Sequence, residues 1–282
     1  MSLSRNIGKN KSERVAELRR QIAATLTHAT ALRRGRNLDM WIGCGYPRSG
    51  TVWLCQLMSI YLDKPYPRDY QSPITMSSVI HAHWLYDCRI PPTVYITRDG
   101  RDVLVSLYFY QIRMLSIPRN PRRTKQLKGI FHSLYGSTFD PQDIRANLPK
   151  FIEYEMTHRL GFRLATWPEH VREWSEKPHV AQVTYEQLLA DTAGELHKAM
   201  LDLDTPAAKL ELAELAARRY DFALASGRTD RSEDRGDFMR KGIAGDWRNH
   251  FTREAGEVFD YYAGDVLVDK QYEASRNWYE GL

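Results

Sequence analysis

The chain has 282 residues, 43% of them hydrophobic and 27% charged, enough for one large α/β domain or two small ones with a core that needs neither metal nor disulfide. Its three cysteines, Cys44, Cys55 and Cys88, lack metal-ligand spacing and read as three buried thiols in a reducing, cytoplasmic setting. The net charge of +5 is concentrated in residues 1–36, with nine basic and two acidic side chains there against 31 and 33 in the rest, so the body is near neutral and poorly suited to nucleic acid.

Residues 1–36 are expected to form a basic arm apart from a main domain over 37–282. Positions 1–12 are polar and read as lacking regular structure. From Glu13 the spacing of Val15, Leu18, Ile22, Leu26 and Leu32 predicts a helix with one apolar stripe, packed on the body or on a partner. No apolar block follows the N-terminal cations, so a secretory leader is not expected. The longest nearly apolar run, Val52 to Leu62, is broken by Gln56 and is far too short to span a membrane.

A strand is expected over Asp39 to Cys44, then the turn Gly45-Tyr46-Pro47-Arg48-Ser49-Gly50, then a helix from Thr51 to Leu62. Strand, glycine-bounded loop and helix in that order open a phosphate-binding α/β fold, because loop N–H groups and a helix N-terminus both face an anion. The spacing of the two glycines matches a nucleotide P-loop. A nucleoside triphosphatase, however, places Lys and then Ser or Thr after the second glycine. Here Thr51 and Val52 follow, and the cation, Arg48, sits inside the loop. An ordinary Pro-Gly turn remains open at this point.

A second strand, Thr93 to Thr97, runs into Arg98-Asp99-Gly100-Arg101-Asp102 and a helix carrying Ser106. An arginine at the carboxyl end of a parallel strand stands where such sheets bind ligands, and a guanidinium with a hydroxyl makes an anion site. The alternative is an ion pair of Arg98 with Asp99 or Asp102. The stretch 115–148, rich in Pro, Gly, Arg and Lys, reads as a long irregular excursion of the kind that covers substrates. A third strand, His179 to Thr184, precedes a helix over Glu186 to Met200. Further helices are expected over 205–220 and from Thr252. Strands alternating with helices predict an α/β class: one domain, with a parallel sheet flanked by helices. Near the end, Phe238-Met239-Arg240-Lys241-Gly242 and Gly245-Asp246-Trp247 suggest a loop wrapped on a polyanion.

Together these segments resemble the cytosolic-type sulfotransferases that use 3'-phosphoadenosine-5'-phosphosulfate (PAPS). Tyr46 to Trp53 is similar to that family's 5'-phosphosulfate loop, YPKSGTTW. Arg98 with Ser106 is similar to its 3'-phosphate motif, and Arg240-Lys241-Gly242 with Gly245-Asp246-Trp247 to its RKGxxGDW signature. Order and spacing agree over residues 41–252. Arg48 stands where the family often has Lys, and Val52 where it has Thr, removing one hydroxyl.

The resemblance implies a P-loop-like nucleotide fold and a small-molecule acceptor. It implies PAPS as donor, with 3',5'-adenosine bisphosphate (PAP) as product, and no metal. Donor contacts would come from Arg48, Ser49, Gly50, Thr51, Val52, Trp53, Arg98, Ser106, Tyr185, Phe222, Met239, Arg240, Lys241 and Gly242. Trp53, Tyr185 and Phe222 are the aromatics that contact adenine, each with core packing as the alternative. The family's catalytic histidine maps to His83 in His81-Ala82-His83, with Arg48 assisting. His81 falls on the family's Lys and could take the role instead, since residues two apart in a strand share a face. Arg248-x-x-x-Thr252-Arg253-x-x-x-Glu257 is similar to the family's dimer motif, so a homodimer is an expectation. The rival readings are a small-molecule P-loop kinase and a nucleic-acid module built on the basic arm.

Overall fold

Four short runs rich in β-branched, aromatic and small residues make the sheet of the computed structural model: β1 (Met40–Gly45), β2 (Ser78–Ala82), β3 (Thr93–Thr97) and β4 (Val180–Thr184). The structure describes residues 2–68, 72–116, 121–159, 165–205, 209–220 and 243–282. All strand pairings are parallel and the order is β2-β1-β3-β4. Parallel neighbours require crossovers, and these place helices on both faces. Alternation along the strands divides the side chains accordingly. Trp41, Val79, Val94, Ile96, Ala181 and Val183 face α2 (Thr51–Tyr61), α8 (Thr192–Asp202) and α9 (Leu210–Arg219). Met40, Ile42, Cys44, Ile80, Ala82 and Tyr95 lie in a second cluster with Trp174 of α6 (Trp167–Trp174) and Ala31 of α1 (Ser2–Arg34).

A third apolar cluster joins α3 (Gly100–Ser116), α4 (Pro121–Tyr135), α5 (Ile144–Thr157) and α10 (Arg253–Asp269) through Leu104, Tyr108, Phe131, Phe151 and Phe259. The expectation of an irregular excursion over 115–148 is therefore corrected. α3 runs to Ser116, and α4 is a helix because Leu127 and Phe131, one turn apart, bury against Tyr108 and its neighbours. The helix expected over Glu186 to Met200 is two helices, α7 (Tyr185–Ala190) and α8. The Asp191 side chain, accepting from the Gly194 N–H at 2.9 Å, restarts the chain there. The expectation at the N-terminus is corrected as well, since α1 starts at Ser2. Cys44 and Cys55 are buried but Cys88 is exposed, in the turn closed by Ile90 N–H on the Asp87 carbonyl at 3.1 Å. Thr252 caps α10 through Ala255 N–H at 3.2 Å.

Candidate active site

Because the strands are parallel, their carboxyl ends share one edge, and every described candidate residue is at or beside it. β1 ends in the Tyr46–Gly50 loop, β2 at His83, β3 at Arg98 and β4 at Tyr185. Phe222, Met239, Arg240, Lys241 and Gly242 lie outside the described residues.

The loop after β1 turns through two left-handed residues, Arg48 (φ 75°) and Gly50 (φ 94°). At Gly50 a side chain is excluded twice over, by that φ and by the Tyr185 ring, 2.7 Å from where a Cβ would stand. Gly50 caps α2, so the helix N-terminus opens on the loop. Ser49 Oγ and Thr51 Oγ1 are buried and have no hydrogen-bond partner among the described residues. Buried hydroxyls are almost always paired, and here both sit where a helix dipole favours an anion.

Arg98 lies against this loop. It donates to the carbonyl of Arg48 at 3.3 Å and to that of Ile243 at 3.1 Å, and its guanidinium covers the Tyr185 ring at 4.3 Å. Its Nε is buried without a partner among the described residues. Burial disfavours the Arg98 charge, but Tyr185, Asp102, Glu186 and Asp99 outweigh it and raise the pKa above the ordinary guanidinium value. Ser106 accepts from Arg48 Nε at 3.0 Å, and Arg48 also lies over the Tyr110 ring at 5.1 Å. The two anion motifs thus meet through an Arg48–Ser106 bond. Of the two ion-pair alternatives for Arg98, only Asp102 is within reach, at 3.8 Å; Asp99 is taken by Arg101 at 2.8 Å.

Sequence reasoning missed how this region is held to the C-terminal third. Both oxygens of Asp102 accept backbone N–H groups, from Gly245 at 2.7 Å and Trp247 at 2.8 Å. Arg101 is buried between Trp247 and Trp278, 3.7 and 4.4 Å from their rings, and pairs with Asp99 and Glu273. An acidic residue in the first turn of a helix was the one visible signal, and it reads equally as a dipole effect. Trp53 and Tyr185 meet edge to face at 5.8 Å, and the Trp53 indole donates to the Tyr220 carbonyl at 3.1 Å. Val52 is half-buried beside them in the first turn of α2.

His83 follows β2 directly. Its Nδ1 lies 2.6 Å from the Gly45 carbonyl, which can only accept; Nδ1 therefore carries the proton and the basic lone pair is on Nε2. The His81 ring stands edge-on to it at 4.5 Å. Burial, reinforced by Arg48, depresses His83 to about 4 even though the Gly45 bond works the other way. Burial, His83 and Arg68 bring His81 to about 3. His170, whose Nδ1 is 2.9 Å from the Tyr95 hydroxyl, falls to about 4 through burial and the nearness of His83. Among the described residues no three His, Cys, Asp or Glu side chains are placed to hold a metal ion.

These three imidazoles predict an acid-labile fold. Their folded pKa values lie below the unfolded value of 6.5, so above pH 6.5 both states are neutral and no penalty arises. As pH falls from 6.5 towards 4 and then 3, the unfolded chain takes up protons that the folded chain refuses, and stability drops. Urea unfolding between pH 7.5 and pH 4 should show this loss, and His170→Gln should flatten it; a pH-independent midpoint would contradict the burial of these rings.

A family model described as a sulfotransferase domain matches residues 63–271. Among curated relatives, the chain is 23% identical over 257 residues to sulfotransferase 2B1 of Mus musculus, covering 76% of this chain and 67% of that one. It is 26% identical over 233 residues to a 3-beta-hydroxysteroid sulfotransferase of Cavia porcellus, covering 76% of this chain and 79% of that one. The fold is similar to the crystal structure of a mouse sulfotransferase complexed with PAP, at 20% identity and a TM-score of 0.54, covering 86% of this chain and 91% of that one.

Proposed function

The chain belongs to the sulfotransferase domain family, and from that premise we propose that it moves the sulfonate of PAPS to a hydroxyl or amine of a small molecule, with His83 as base and without a metal. The observation that carries this reading is the set of buried polar atoms lacking partners among the described residues, Ser49 Oγ, Thr51 Oγ1 and Arg98 Nε. They are acceptor-seeking groups around a helix N-terminus and two guanidinium groups, an environment that fits a ligand with two separate anionic positions.

Each residue then has a task. The loop N–H groups, Ser49, Thr51 and the N-terminus of α2 take the 5' side of the donor, and Arg48 offsets the charge that develops on the leaving phosphate. Arg98 and Ser106 take the 3'-phosphate, with Arg240, Lys241 and Gly242 completing the enclosure. Trp53, Tyr185 and Phe222 flank the adenine, with Val52, Gly50 and Met239 lining the approach. His83 Nε2 accepts the acceptor's proton as its oxygen attacks sulfur. The new S–O bond forms as the bond from sulfur to the phosphate oxygen breaks, in line, and the electron pair leaves with PAP. His81, edge-on to His83, positions it. The matched family region, residues 63–271, leaves outside it both the basic arm, residues 1–36, and the Tyr46–Trp53 loop.

Two outcomes are expected. PAP should raise the melting temperature of the protein by several degrees, while ATP with Mg²⁺ and single-stranded DNA should not. Turnover of PAPS should be unchanged in excess EDTA. Activity that is lost on chelation and restored by one divalent ion would replace the mechanism with a metal-assisted one, and an ATP–Mg²⁺ shift exceeding that of PAP would favour a kinase.

A further inference from the structure

α1 presents two faces of different kinds. At about 100° per residue, Ala23, Thr27 and Ala31 fall together and face the body, where all three are buried and Thr27 Oγ1 accepts the Ile74 N–H at 2.9 Å. His28 packs on Trp84 with ring centroids 4.3 Å apart. About 140° around the helix, Val15, Leu18, Ile22 and Leu26 form a stripe in which each side chain is 47 to 57% exposed. None of the four joins an apolar cluster among the described residues. They are four of the ten large apolar side chains exposed among the described residues, so the exposure is concentrated here and not scattered as on an ordinary surface.

The charges around the stripe identify what covers it. Residues 1–36 carry nine cations and two acids. Arg33 shares the arc of the stripe and Arg19 borders it, both exposed, while Glu17 lies on the far side and pairs with Arg20 at 2.7 Å. A second copy of so basic a helix would be repelled along its length, and nucleic acid would neutralise the cations while leaving Val15, Leu18, Ile22 and Leu26 in water. An anionic lipid surface answers both features at once. Its headgroups pair with arginine and its acyl boundary takes the apolar side chains, as for helices that lie in the interfacial plane. No described helix is long and apolar enough to cross a membrane, so the contact is peripheral. We propose that α1 docks the enzyme on anionic lipid surfaces through Val15, Leu18, Ile22 and Leu26 flanked by Arg19 and Arg33.

The test is co-sedimentation of the full chain with vesicles of phosphatidylcholine alone and with about one third phosphatidylserine. Binding should require phosphatidylserine and weaken as salt is raised. Leu18→Glu/Ile22→Glu should weaken it by about 100-fold, because two apolar side chains no longer leave water. Leu215→Glu, at an exposed leucine on α9, should leave it unchanged. Both substituted sites are exposed, and an unaltered PAP thermal shift in each variant checks the fold. Absence of vesicle binding overturns the proposal. So does equal binding by the Leu18/Ile22 variant, which would mean charge alone. A dimer in light scattering that this variant dissolves assigns the stripe to a second copy, and single-stranded DNA binding without vesicle binding assigns the arm to nucleic acid; either result also overturns it.

Discussion

Replacing His83 by alanine is expected to lower kcat by about 10²–10⁴, the usual cost of losing a general base, and to leave PAP affinity within a factor of about two. The bond to the Gly45 carbonyl fixes the tautomer with its lone pair on Nε2. The depressed pKa of about 4 keeps that lone pair unprotonated at neutral pH. kcat/KM, which reports the free enzyme, should rise with pH through a limb near 4 and be flat above it. The limb in kcat should sit higher, because a bound anionic donor favours protonated His83. Both limbs should vanish in His83→Ala. His81→Ala should cost less, since in the proposed mechanism His81 acts only through the neighbouring His83 ring. An equal loss in His81→Ala, with the limb intact in His83→Ala, would exchange the two roles.

Arg98→Ala should produce the largest loss of donor affinity, on the order of 10²-fold or more in the Kd of PAP, because it removes from the proposed 3'-phosphate position a buried charged donor whose Nε has no partner among the described residues. Stability should fall as well, by about 3–5 kcal/mol, since buried Asp102 loses its cationic neighbour. Weakened binding alone would therefore be ambiguous. The informative quantity is the preference for PAP over 5'-AMP, measured by calorimetry on the folded variant. In the parent protein it should be large; in Arg98→Ala it should collapse towards unity, and in Arg98→Lys it should be partly restored. A preference that survives in Arg98→Ala would place the 3'-phosphate elsewhere.

What the sequence disclosed and what it hid divide by range. The β1–loop–α2 unit and the β3–Arg98 junction are local, so glycine placement and strand-then-helix order were enough to find them. The parallel sheet followed from the alternation of elements. The left-handed turn at Arg48 was invisible, because nothing in its neighbours demands a positive φ there. The contacts of Arg101 with Trp247, Trp278 and Glu273, and of Asp102 with Gly245 and Trp247, bridge more than a hundred residues, and the one local trace, an acidic residue in the first turn of α3, does not name its partners. The helix α4 was concealed by its cationic composition; Leu127 and Phe131 decide it only once Tyr108 and Phe151 are placed opposite. The direct Arg48–Ser106 bond likewise joins two motifs that sequence reading had assigned to opposite ends of one ligand.

The group that orients His83 is a main-chain oxygen, and this has a consequence for genetics. Where an aspartate side chain steers a catalytic histidine, a mutational scan reveals two positions, the base and its partner. The Gly45 carbonyl survives any exchange of side chain, so no conservative substitution deletes it and selection cannot weaken it gradually. Position 45 can only be broken outright, since a Cβ there would stand 2.6 Å from the Ile96 carbonyl oxygen and 2.7 Å from Ile96 Cγ2. With His83 as the proposed base, an alanine scan of this enzyme would consequently record a solitary histidine with an apparently structural glycine, and the orienting bond between them would leave no signature of its own.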